Sequence, residues 1–162
     1  HWERAEIVSM HNRILRHFDR DYYSPNHAFG LPPSWWMDPD VARIRDELTL
    51  WLTKKLRGPA LFGFKDPRTC LMFPVWNEIL TELDVRPKFV FCVRDPAQVV
   101  RSIAERDQLD ACDSEFRWVR YNAHAIAGIG ERDTAIIPYE LVHRSGRQSQ
   151  TADRASSSVL AA

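Results

Sequence analysis

Two stretches of the chain carry the same chemistry. "LFGFKDPRTC" (Leu61 to Cys70) and "FVFCVRDPAQVVRS" (Phe89 to Ser102) each run apolar, then place a cation, then Asp-Pro. In each, the aspartate is suited to cap a following helix, with Pro67 or Pro96 at its first position. That leaves Lys65 and Arg94 at the carboxyl ends of apolar runs, next to helix N-termini, where backbone N–H groups attract anions. Either cation alone reads as a solvated residue where a strand meets water. Two of them on one rim point to an anion site. Ser102 stands eight residues after Arg94, at the flank of the helix that Pro96 opens. A forked guanidinium and a hydroxyl so spaced can hold one phosphate from two sides.

The elements that must position these residues follow from periodicity. Ile7, Met10, Ile14, Leu15 and Phe18 recur at helical spacing over residues 5–18. Residues 19–37 hold three prolines and a glycine among aromatics and read as a long loop, in which Trp35 and Trp36 either line a pocket or cover the core. Asp38-Pro39 opens a second helix bearing Val41, Ile44, Leu48, Trp51 and Leu52, which stops at Gly58-Pro59. "ALFGF" and "KFVFCV" are expected strands, buried on both faces, with a helix between them that Pro74 restarts or kinks. A helix from Pro96 to about Arg106, another over roughly 114–127 ending at Gly128 and Gly130, and a third strand, "AIIPY" (Ala135 to Tyr139), complete the order. Strands alternating with helices predict an α/β fold with a largely parallel sheet, in which ligands bind beyond the carboxyl ends of the strands. From His143 onward the chain is small and polar without periodicity, so a domain over 1–142 and a disordered tail over 143–162 are expected.

Composition narrows the function classes. The 22 basic and 22 acidic residues balance, so bulk charge argues for neither nucleic acid nor membrane, and an anion site must be local. No apolar run reaches a membrane span. Three cysteines without a CxxC pair fit a reducing, cytoplasmic setting, with Cys92 in the core. No histidine stands at zinc-ligand spacing from a cysteine, so no metal is expected.

In order and spacing, four segments resemble the sulfotransferases that use 3′-phosphoadenosine 5′-phosphosulfate (PAPS), in their bacterial and tyrosylprotein-type branch. "FVFCVRDPAQVVRS" is similar to the family's 3′-phosphate-binding segment, "FGFKDPR" to the strand before it, "RWVRYNAHAI" to the intervening helix and "IIPYE" to a later strand. The resemblance covers residues 1–142 and implies a P-loop-NTPase-like parallel sheet flanked by helices. It implies that Arg94 and Ser102 hold the 3′-phosphate, that Tyr139 supports the adenine, and that Lys65 faces the sulfuryl group. PAPS would be the co-substrate and the acceptor a hydroxyl or amine on a small molecule, carbohydrate or peptide. Some relatives place a catalytic histidine two residues after the lysine; Pro67 stands there. Others use a glutamate in a segment that "HWERAEIV" resembles, which makes Glu3 the candidate base and Asp66 the second choice.

The family's Gly-rich 5′-phosphosulfate loop and the strand before it find no counterpart in the sequence, and the first residue is His rather than Met. The expectation is therefore a fragment, incomplete in its first strand and inactive alone. The alternatives are a non-catalytic nucleotide- or anion-binding remnant and, behind it, a P-loop kinase relative.

Overall fold

A computed structural model describes residues 3–22, 30–58, 61–107 and 109–141. Among these residues, five helices and two strands follow one another: α1 (Ala5–His17), α2 (Pro39–Leu56), α3 (Thr69–Glu82), β1 (Phe89–Val93), α4 (Pro96–Asp107), α5 (Ala111–Ile129) and β2 (Thr134–Pro138), with a 3-10 turn, Trp35–Met37, before α2. The fold is α/β, mostly helical, with β1 and β2 paired in parallel, Phe89 opposite Thr134 and Val93 opposite Pro138. The tail assigned to residues 143–162 lies outside the described residues.

The core belongs to the first three helices. Ile7, Ile14, Val41, Leu48, Met72 and Val75 are sealed from water, each such burial being worth about 1.5–3 kcal/mol. Trp35 joins them at 7% exposure, so of the two roles open to it, core cover is the one observed. Asp38 caps α2, its carboxylate accepting from the backbone N–H groups of Asp40 and Val41. Pro74 is accommodated inside α3, where it has no N–H to offer the preceding turn.

Three expectations are corrected. Leu61–Phe64 forms no strand: Phe62 and Phe64 are half-buried while Leu61 and Gly63 are exposed, and no strand pairs with the segment among the described residues. An apolar run needs a neighbour to become a strand, and Phe62 and Phe64 instead pack on Trp51 and Trp76. Cys92 is exposed, not core, because Val90 and Cys92 point to an uncovered sheet face while Phe89 meets Phe73 of α3. Helix α5 starts earlier than residue 114 because Asp110 caps it, accepting from the Asp113 N–H at 2.8 Å. It also runs through Gly128. A Cβ at that position would lie 2.2 Å from the Phe73 ring and 2.7 Å from Phe73 Cβ, so glycine is what lets α3 and α5 approach.

Candidate functional site

The parallel register brings the carboxyl ends of β1 and β2 side by side. Arg94 follows one and Tyr139 the other, and the guanidinium lies 4.8 Å from the centre of the tyrosine ring. Asp95 caps α4, accepting from the Gln98 N–H at 3.1 Å, with Pro96 first in the helix. The Arg94 side chain also reaches Gln98 Oε1 at 3.4 Å. Ser102 is exposed one turn beyond Gln98, and no hydrogen bond joins it to Arg94 among the described residues. The carboxyl-end site is thus a half-buried cation over an aromatic face, with an exposed hydroxyl further along the same helix.

Lys65 ends no strand. Its ammonium lies 2.7 Å from Glu3 Oε1, across 62 residues of sequence, and both side chains are exposed. The five candidate residues therefore form two contacting pairs, Arg94 with Tyr139 and Lys65 with Glu3, and a separate Ser102.

Asp66, the alternative base, is excluded by burial. Its side chain is 0% exposed, as is that of His11, whose Nδ1 lies 2.8 Å from Asp66 Oδ2. Arg68 donates to Asp66 Oδ1 through its backbone N–H and through Nη1, and through Nε to Asn12 Oδ1 at 2.9 Å. Burial pushes the Asp66 carboxyl up, but the His11 and Arg68 contacts outweigh it and hold the group below the ordinary aspartate value. Trp76 Nε1–H donates to His11 Nε2 at 3.0 Å. With that nitrogen accepting, the ring hydrogen sits on Nδ1 and points at Asp66. Arg68 also stacks its guanidinium 4.0 Å from the centre of the Tyr22 ring.

The twin motifs thus differ in use. Lys-Asp-Pro-Arg continues into Arg68, which buries Asp66 in a network; Arg-Asp-Pro-Ala has Ala97 there, and Asp95 stays an exposed cap. Helix α3 accordingly starts at Thr69 rather than at Pro67, after a turn that Asp66 braces. Sequence reasoning passed over His11, although it occupies a slot of the α1 apolar stripe between Ile7 and Ile14. A polar residue on a buried stripe was the available signal.

A second carboxylate is held low. Asp107 accepts from Arg106 at 2.7 Å and from buried Arg117 at 3.1 Å, and these contacts depress its carboxyl. His17, Asp38 and Asp40 bring ligand-type atoms within 4.8 Å of one another. Asp38 already accepts from two backbone N–H groups at the positive end of α2, and Arg43 bonds Asp40. Helix dipole and arginine both oppose a cation there, and Asp38 serves instead as the cap of α2. Between α4 and α5, Val100, Ala104, Trp118 and Val119 line an open apolar groove. No helix is long and apolar enough to cross a membrane among the described residues.

Comparison with protein-family models, curated proteins and solved structures finds no match to this chain.

Proposed function

We propose that the chain is the core of a PAPS-dependent sulfotransferase with a P-loop-like sheet. In this reading Arg94 and Ser102 take the 3′-phosphate, Tyr139 borders the adenine, Lys65 faces the sulfuryl group and Glu3 receives the acceptor proton. The observation that carries it is the meeting of Arg94 and Tyr139 at adjacent carboxyl ends of parallel strands, the position where open α/β sheets bind ligands.

The chemistry suits the second pair. Sulfuryl transfer, like phosphoryl transfer, is an in-line displacement in which charge gathers on the bridging and peripheral oxygens, so positioning and cations do most of the work. As the acceptor oxygen forms its bond to sulfur, its proton passes to Glu3 and the bond to the bridging oxygen breaks, releasing adenosine 3′,5′-bisphosphate. Lys65, 2.7 Å from Glu3, can neutralise charge on the group in flight while lying beside the base.

Calorimetry tests the nucleotide assignment. Adenosine 3′,5′-bisphosphate should bind more tightly than adenosine 5′-monophosphate by about 1.5–3 kcal/mol, the worth of a charged hydrogen-bonding contact. Equal affinity for the two nucleotides overturns the reading.

A further inference from the structure

The Lys65–Glu3 pair does not hold itself in place. Its side chains are 64% and 46% exposed, and an exposed ion pair between long side chains gains little over water. It nevertheless joins residues far apart in the chain. Its geometry must come from whatever fixes the two backbones.

Asp66 follows Lys65 directly, and α1 begins two residues after Glu3. These two segments are pinned together by the buried network. His11 of α1 bridges Asp66 on one side and Trp76 of α3 on the other, and Arg68 extends the link to Asn12, the next residue of α1. Both ring nitrogens of His11 are used, and Trp76 fixes which one carries the hydrogen, so the ring has one arrangement that satisfies every partner. Among the described residues, Arg4 also lies over Phe62, 6.0 Å from the ring centre, and Phe62 and Phe64 pack on the apolar core that α1 shares; Arg4 is exposed and Phe62 half-buried, and neither contact is as directional as the His11 hydrogen bonds.

We propose that His11 is a positioning residue: by clamping α1 to the turn at residues 66–68 it sets the register of Glu3 against Lys65. The catalytic meaning of that register rests on the sulfotransferase reading; the clamp itself does not.

Zero-length carbodiimide coupling of the chain, read by peptide mass spectrometry, measures the pair directly, because only a carboxylate touching an amine is joined. Lys88 and Asp133, 3.1 Å apart and both exposed, give an internal reference for the intact fold. His11→Leu should lower the Glu3–Lys65 yield by about two- to tenfold, the span of one or two lost hydrogen bonds, with the Lys88–Asp133 yield unchanged. His11→Gln, whose amide can donate to Asp66 and accept from Trp76, should restore it. A wild-type Glu3–Lys65 yield in His11→Leu, or no rescue by His11→Gln, overturns the clamp. If both yields fall in His11→Leu, the milder Trp76→Phe decides: a fall confined to Glu3–Lys65 supports the clamp, and any other pattern overturns it. Calorimetry of the unaltered chain with adenosine 3′,5′-bisphosphate reports separately on the sulfotransferase reading.

Discussion

The Arg94 guanidinium lies over the Tyr139 ring, 4.8 Å from its centre, although 45 residues separate the two in sequence. The parallel pairing of β1 with β2 creates that contact, since each residue directly follows its strand. Replacing Tyr139 by Leu removes a cation–π contact worth about 0.5–1 kcal/mol and should loosen the guanidinium, which Gln98 still contacts. Arg94→Ala should weaken adenosine 3′,5′-bisphosphate selectively. Arg94→Lys should not rescue it, because an ammonium lacks the planar fork. Full rescue by lysine, measured calorimetrically, would contradict a forked contact.

Acid should weaken the fold through Asp66. Its carboxyl titrates below the ordinary value of 3.8 in the folded chain. Stability from the His11 and Arg68 contacts is therefore present above that value and lost as pH falls through the lower folded one. Asp66→Asn removes a buried carboxylate that both His11 and Arg68 contact, and losing one side of a buried charge contact costs about 3–5 kcal/mol. The variant's stability should also fall less steeply with acid. Denaturant titrations at several pH values measure both effects; an unchanged slope in Asp66→Asn would assign the acid sensitivity to other carboxylates, such as Asp107.

Gly128→Ala should destabilise the chain, against helix propensity. Alanine is worth about 1 kcal/mol over glycine in a helix interior. Here the added methyl would stand 2.2–2.7 Å from Phe73, including its Cβ, which no side-chain rotation can move away. Overpacking typically costs about 1–3 kcal/mol, so the balance is a loss, read as a lower melting temperature. A higher one would mean that α3 and α5 separate more easily than their contact implies.

The three thiols should divide two to one. Burial pushes the Cys70 thiol up to about 11, leaving almost no thiolate near neutral pH, while Cys92 and Cys112 are exposed. An aromatic disulfide reagent at neutral pH should titrate Cys92 and Cys112 in the folded protein and Cys70 only after unfolding. Rapid modification of all three would show that the helix carrying Cys70 opens readily.

Local signals in the sequence determined much of the chain. Asp38-Pro39 and Asp95-Pro96 begin α2 and α4 because an aspartate cap and a first-turn proline act within four residues of one another. The stripes of α1 and α2, and the strands at Phe89–Val93 and Thr134–Pro138, were legible from apolar spacing alone. Tertiary structure decided the rest. Whether "LFGF" became a strand depended on a hydrogen-bonding neighbour, which no local pattern specifies. That Gly128 lies within α5 depended on the approach of Phe73. Asp66 and Asp95 sit in nearly identical motifs, yet one is sealed against His11 and the other faces water. The difference comes from Arg68 and from a histidine 55 residues away, brought together by packing of α1 on the turn before α3. A buried charge is settled by the partners that the fold delivers to it, and those partners are remote in sequence.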